Sequence, residues 1–439
     1  MRVSRVLGAA IGAALLTATM ATPSALAQPP SGSSTGSTVE SDFYLPPSPL
    51  PAGSPGDLIR SEPSHLAISL PAIGGTLPGV ATRIMYRSND SNGEANAVTG
   101  TYIDPAAEWT GPGPRPLVVV APGTQGQGDQ CAPSKMLNHL ITYTPPIGPM
   151  VEYEVLAAYS FLAQGYGVVI TDYDGLGTPG AHTYVNRAAE AHAVLDAARA
   201  AQRLSGTKIS GNGPVGAYGY SQGGGAAAAA AELADEYAPE LDLVGTYAGA
   251  PPADLKKVLE QVDGTILTGV IGYTLNGLLE SDPHLRPVVE ANINDAGRSM
   301  LNMVANQCAG ETILTVGLRR TQQYTNSGEP LSVILDRLPE AQEVLAKNKI
   351  GERTPSAPVL IQSGTSDDIV PYGQAEELAG AWCGQGATVQ FSAMNLPPLV
   401  PGSGADHVIP AVPGFLGMGE AQAWLKDRFY GVPAPTNCR

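Results

Sequence analysis

Six short runs in this chain are apolar without interruption and end in turn residues: PLVVVAPG (116–123), GVVITDYDG (167–175), PVGAYGYS (214–221), LVGTYAGAPP (243–252), PVLIQSG (358–364) and TVQFSAM (388–394). A strand wetted on one face alternates apolar and polar residues, so continuous runs predict strands covered on both faces, as in a parallel sheet between helix layers. Between them lie YVNRAAEAHAVLDAARAAQRL (184–204) and GGAAAAAAELADEYA (224–238), rich in strong helix formers. Alternating strands and helices predict an α/β fold with a mostly parallel central sheet flanked by helices. Upstream, ATRIMYRSNDSNGEANAVTGTYIDP (81–105) reads as a hairpin, two alternating runs about an Asn/Asp/Gly turn.

The rhythm breaks from about 253 to 345. ADLKKVLEQV, TILTGVIGYTLNGLLES, AGRSMLNMVANQ and LSVILDRLPEAQEVLAKNKI are successive helical pieces with no strand among them. This predicts a helical cap (253–345) inserted between two parts of one sheet domain, 57–252 and 346–439. Ile266, Leu267, Val270, Ile271, Leu275, Leu278 and Leu279 give the cap an apolar face. Periodicity alone supports equally a helix face packed on the core and a lid over an acyl chain.

The first residues change the compartment. Arg2 and Arg5 precede an apolar run from Val6 to about Met20, and Ala25-Leu26-Ala27 offers a small-residue cleavage site, the pattern of a secretory signal over 1–27. The run is alanine-rich, short of the ~20 residues a span needs, and lacks a basic stop, so a membrane anchor fits less well. Residues 28–56, polar and rich in Pro, Ser and Gly, read as a flexible leader. The formal net charge of −16 argues against nucleic acid and anionic lipid as partners, because both need a basic footprint. Cys131, Cys308, Cys383 and Cys438 make an even count in an exported chain and predict two disulfides, with three pairings open. Zinc is disfavoured: no Cys-x-x-Cys pair is present and no histidine stands at ligand spacing.

Within this frame GYSQG (219–223) stands at a strand-to-helix corner. Glycine fills 52 of 439 positions, so Gly-x-Ser-x-Gly also arises by accident, and Gly32–Gly36 fits the pattern inside a low-complexity stretch. Ser221 differs in having a strand before it and a helix behind it, the setting of a nucleophile elbow. The N–H of Gln222 is then one oxyanion-hole donor. A serine hydroxyl needs a base oriented by a carboxylate, and in this kind of fold the chain order is Ser, Asp or Glu, His. After Ser221 come only His284, inside the cap, and His407, in GADHVI (404–409). Asp367 and Asp368 both follow the strand PVLIQSG, and residue-level reasoning does not separate them; Asp406, beside His407, is the weaker candidate. His182 and His192 precede the serine and fit no role in that order. The second oxyanion donor is expected in APGTQGQGDQC (121–131), at Thr124 or Gln125.

APGTQGQGDQCAPS (121–134), TDYDGLG (171–177), VLDAARAAQ (194–202), GYSQGG (219–224), GTSDDIVPY (364–372) and ADHVI (405–409), in this order, resemble the secretory lipases, an α/β-hydrolase family that includes the fungal lipase A group and exported actinobacterial enzymes. The resemblance spans roughly 41–436. It implies a serine lipase or esterase with an inserted helical cap and no cofactor or metal. It selects Asp367, four residues before the proline of D-x-I-V-P, as the triad acid. It also suggests the pairings Cys131–Cys308 and Cys383–Cys438. One departure stands out: where the lipase A group uses an aspartate at the oxyanion loop, this chain reads Thr-Gln-Gly-Gln-Gly, and Asp129 lies nearer Cys131 than the family position.

The expectation is therefore a secreted serine carboxylic-ester hydrolase acting on a small ester or lipid substrate. An acyltransferase with the same triad and an alcohol acceptor is the alternative, and a non-catalytic binding protein on the same scaffold is a remote one.

Overall fold

The computed structural model describes residues 42–72, 75–143 and 148–438. The signal segment 1–27 and residues 28–41 of the leader lie outside the described residues. Residues 42–56 of that leader are held against the core, so the reading of 28–56 as flexible does not extend to this part. Its two aromatic residues, Phe43 and Tyr44, are buried against Met85 and Ala97, and the Gly56 amide donates to the Arg87 carbonyl at 2.7 Å. The Tyr44 hydroxyl also shares a hydrogen bond with Ser134 Oγ at 2.9 Å, adding a polar tie to the apolar burial.

Nine strands form one sheet. In chain order they are β1 (Leu58–Ser64), β2 (Gly79–Asn89), β3 (Ala95–Pro105), β4 (Leu117–Ala121), β5 (Gly167–Thr171), β6 (Val215–Tyr220), β7 (Leu243–Gly249), β8 (Val359–Gly364) and β9 (Val389–Met394). Their order across the sheet is β1-β2-β3-β5-β4-β6-β7-β8-β9. The six strands from β5 to β9 along that order run parallel, while β1, β2 and β3 pair antiparallel at one edge. The β2–β3 ladder is the hairpin read from the sequence.

Continuous apolar strands are explained by cover on both faces. Val118 and Val120 face α1 (Glu154–Ala163) and the C-terminal helix Glu420–Phe429, packing with Phe161, Leu162, Trp424 and Leu425. Val119 and Ala217 face the other way, toward α2 (Arg187–Arg203) and α3 (Gln222–Tyr237). Ala226 to Ala231 of α3 are all essentially buried. With methyl groups only, α3 lies close against both the sheet and α2; longer side chains there would overpack the layer by about 1–3 kcal/mol each.

Between β7 and β8 the chain leaves the sheet and runs through α4 (Leu255–Val262), α5 (Val270–Ser281), α6 (Arg286–Asn292), α7 (Asp295–Val304), α8 (Ala309–Val316), α9 (Leu331–Leu335) and α10 (Pro339–Lys347). A disulfide, Cys131–Cys308, joins this helical insertion to the loop after β4, and Cys383–Cys438 ties the C-terminal tail to the helix Tyr372–Gly384. Among the described residues no helix is long and apolar enough to cross a membrane.

Candidate active site

The loops after β4, β6, β8 and β9 leave the carboxyl edge of the parallel strands, where an open α/β sheet gathers its working side chains. β6 ends at Tyr220, α3 begins at Gln222, and Ser221 between them takes φ +60°, ψ −125°. That backbone state is costly for a residue with a side chain, by about 1–3 kcal/mol, and has to be held by its surroundings. The Ser221 amide donates to the Gly249 carbonyl of β7 at 2.9 Å. The neighbouring glycines are required by close approach: a Cβ at Gly219 would collide with the Gly223 carbonyl, and one at Gly223 with the Ala121 carbonyl of β4.

Three side chains from three loops meet at this corner. His407 Nε2 is 2.9 Å from Ser221 Oγ, and His407 Nδ1 is 2.8 Å from Asp367 Oδ2. Asp367 Oδ1 accepts from the Ile369 and Val370 amides at 2.9 and 2.8 Å, so its carboxylate is fixed at both oxygens. The Tyr220 hydroxyl donates to the His407 carbonyl at 2.7 Å, steadying the helical turn Ala405–Val408 that carries the imidazole. Asp368 points elsewhere: its Oδ2 accepts from the Gly404 amide at 2.8 Å and anchors the start of that turn. Asp406 accepts from the Leu399 amide and touches neither Ser221 nor His407 by hydrogen bond. His284 sits in a short helical turn of the insertion and takes no part in the Ser221–His407–Asp367 hydrogen bonds.

On the oxyanion side, Gln222 occupies the first turn of α3, where amide N–H groups lack intrahelical partners. Thr124 lines the same cavity as Ser221 and Gln222, and its hydroxyl shares a 2.7 Å hydrogen bond with Tyr184 Oη. Gln125 is buried but does not line that cavity; its carbonyl accepts from Ala309 of the insertion at 2.8 Å. Asp129 turns away as well, accepting from the Gly177 amide at 3.0 Å. The loop is braced from behind by the Tyr153 hydroxyl, which donates to the Thr124 carbonyl at 3.0 Å, and by Glu154, which accepts from the Gly123 amide at 2.8 Å. Burial pushes the Glu154 carboxyl up to about 7, partly offset by that amide bond.

Sequence order assigned nothing to His182 or Glu190, yet both bond the side chain of the residue after Ser221. Gln222 Nε2 lies 3.0 Å from His182 Nε2 and donates to Glu190 Oε1 at 2.7 Å. Burial lowers His182 to about 4, against a smaller opposing effect of the Asp174 carbonyl at Nδ1, and raises Glu190 to about 8. The readable signal was a carboxylate on an apolar helix face: Glu190, Val194, Ala197 and Ala201 follow helical spacing and all are buried.

A cavity opens from Ser221 beneath the insertion, with about 1330 Å³ of empty space including its mouth. Apart from Thr124, Tyr184, Ser221, Gln222, Thr274 and Asn292, its walls are aliphatic. Leu267, Val270, Ile271, Leu275, Leu278 and Leu279 of the sequence-read apolar face line it; Ile266 does not, and lies against Gly404 beside the His407 turn. Among the described residues no group of three or more His, Cys, Asp and Glu side chains could hold a metal ion.

Comparison with known proteins gives one consistent picture. The family described as Secretory lipase matches residues 145–437. A Mycobacterium tuberculosis (strain CDC 1551 / Oshkosh) protein named as a probable inactive lipase is 30% identical over 404 residues, covering 89% of this chain and 82% of its own. A secreted triacylglycerol lipase of Malassezia furfur is 28% identical, covering 90% and 77%. Among solved structures, Candida antarctica lipase A in its closed state superposes with a TM-score of 0.72 at 22% identity, over 90% of this chain and 87% of that one. A rice cell wall degrading esterase from Xanthomonas oryzae gives 0.65 at 19%, over 86% and 100%. At these identities the structural matches speak to the fold, an α/β hydrolase.

Proposed function

The chain belongs to the secretory lipase family and so to the carboxylic-ester hydrolases, and we propose that it is a secreted lipase or esterase working through Ser221, His407 and Asp367. The observation that carries this reading is the unbroken hydrogen-bonded line from Ser221 Oγ through both nitrogens of His407 to Asp367. Ser221 Oγ attacks the ester carbonyl carbon while His407 Nε2 takes its proton. The carbonyl oxygen becomes an oxyanion held by the Gln222 N–H and an N–H of the Thr124–Gln125 segment. The C–O bond to the alcohol then breaks, and His407 returns its proton to the leaving oxygen. Water, deprotonated by His407, attacks the acyl-enzyme and releases the carboxylic acid and Ser221. Asp367 keeps the imidazole in the tautomer with Nδ1–H and offsets the charge of the imidazolium.

The aliphatic cavity beneath the insertion supports an apolar acyl chain as the group bound, with 253–345 as the cap that encloses it. Two disulfides and relatives named as secreted support export, the destination implied by the N-terminal signal pattern. One relative carries "inactive" in its name. In this chain serine, base and acid are all present at bonding distance, which favours an active enzyme over a binding protein.

The test is initial rates on p-nitrophenyl esters from acetate to palmitate for wild type and Ser221→Ala. Turnover by wild type alone, with an optimum at medium or long chains, is expected. Equal rates from a folded Ser221→Ala variant would remove Ser221 as nucleophile, and an optimum at acetate would remove the acyl role of the cavity.

A further inference from the structure

Glu190 is a carboxyl group on the buried face of α2, 2% exposed, and no triad residue touches it by hydrogen bond. Its Oε1 accepts two N–H groups, from Gln222 Nε2 at 2.7 Å and from the Val185 amide at 2.9 Å. These donors belong to opposite sides of the site. Gln222 follows the nucleophile. Val185 follows Tyr184, whose hydroxyl bonds Thr124 Oγ1 at 2.7 Å, and all of these residues line the cavity with Ser221. Val185 holds φ +53°, a left-handed state that a β-branched residue keeps only when bonded into it.

The other contact of the Gln222 amide confirms its orientation. His182 Nδ1 donates to the Asp174 carbonyl at 3.0 Å, so Nε2 presents a lone pair to Gln222 Nε2 at 3.0 Å. Burial keeps His182 neutral, as this arrangement requires. Both hydrogens of the Gln222 amide are therefore committed, one to His182 and one to Glu190. With its side chain pinned by both contacts, the Gln222 backbone N–H has a fixed direction beside Ser221.

We propose that Glu190 is a positioning residue of the oxyanion hole, its Oε1 coupling Gln222 on the nucleophile side to the Val185–Tyr184–Thr124 segment on the other. This rests on the serine-esterase reading of the same site. Donors aimed at a developing oxyanion accelerate the reaction only when their direction is set beforehand, so loosening them slows turnover without weakening ground-state binding.

The experiment measures kcat and KM on p-nitrophenyl butyrate, normalised to sites titrated with a fluorophosphonate. Glu190→Leu, which removes both acceptor contacts, is expected to lower kcat about 10- to 100-fold with KM within about twofold. Glu190→Gln keeps an acceptor oxygen and is expected to restore kcat to within about threefold of wild type. A Glu190→Leu enzyme within about twofold of wild type per titrated site, or a Glu190→Gln enzyme as slow as Glu190→Leu, overturns the proposal. If Glu190→Leu lacks a cooperative melt, Gln222→Met cuts the same link while keeping every backbone N–H: a matching loss of kcat supports the coupling, and unchanged kcat overturns it. A wild type that neither turns over nor takes the phosphonate removes the esterase reading itself, a result distinct from active wild type with indifferent Glu190 variants.

Discussion

Replacing Asp367 by asparagine exchanges one oxygen for an NH2 group and is expected to remove most of the activity, whereas the same change at Asp368 is not. Asp367 Oδ1 faces two amide donors, Ile369 and Val370, at 2.9 and 2.8 Å. In Asp367→Asn the remaining oxygen has to stay there, because an NH2 group facing two N–H donors would leave three donors and no acceptor. The NH2 is thereby forced onto His407 Nδ1, 2.8 Å away in the wild type. Nδ1 must then accept, the ring proton moves to Nε2, and Nε2 faces Ser221 Oγ as a donor that cannot take its proton. Wrong-tautomer triads lose about 10⁴ in kcat, equivalent to about 5 kcal/mol of transition-state stabilisation. Asp368 accepts one amide, Gly404 at 2.8 Å, while its Oδ1 is buried with no hydrogen-bond partner. An asparagine keeps its oxygen on Gly404 and puts NH2 where nothing was accepted, so kcat should stay within about threefold. The assay is kcat on p-nitrophenyl butyrate with thermal melts of both variants. Equal losses in the two variants, or a larger loss at Asp368 with the fold retained, would refute the assignment of the acid.

Four further outcomes follow from the same geometry. Glu190 is raised to about 8 against an ordinary 4.5, so its contribution to stability is full below pH 4.5 and fades as pH rises toward 8; Glu190→Gln should flatten that fall, worth about 3 kcal/mol by pH 7, and parallel Tm–pH curves would contradict it. His182, lowered to about 4, works in the opposite direction, and stability should drop as pH falls from 6.5 toward 4. Leu275→Trp, which fills part of the cavity wall, should lower kcat/KM on the palmitate ester roughly tenfold while sparing butyrate; equal effects on both would place the acyl chain elsewhere. Cys131→Ser with Cys308→Ser opens a closure of 177 residues and Cys383→Ser with Cys438→Ser one of 55, costing about 5 and 4 kcal/mol, and only the first pair, which frees the oxyanion loop, should cut kcat below the melting transition.

The parallel strands β4, β5, β6 and β8 were legible because each is an apolar run covered on both faces; β9, at the sheet edge, is mostly half-buried and was legible only through its apolar residues. β1 was not: LIRSEPS is half exposed along its length and carries Pro63, so neither alternation nor continuity marks it as an edge strand. The meeting of Ser221 and His407 was legible from their order and their place after strands. The choice between Asp367 and Asp368 was beyond residue-level reasoning, since it depends on which carboxylate the turn Asp367–Val370 aims at the imidazole. Residues 42–56 fell within the leader read as flexible over 28–56 because composition averages over a segment and misses two anchoring aromatics. Glu190 and His182 lie 31 and 39 positions before Ser221, and only packing α2 and the loop before it against the start of α3 brings them to Gln222.

The most direct test of the central claim is mass spectrometry after brief exposure to a fluorophosphonate. The account predicts one adduct per chain, on the peptide bearing Ser221, forming at least about 10³-fold more slowly in His407→Ala. An adduct on another serine, or an equal labelling rate without the His407 imidazole, would contradict it.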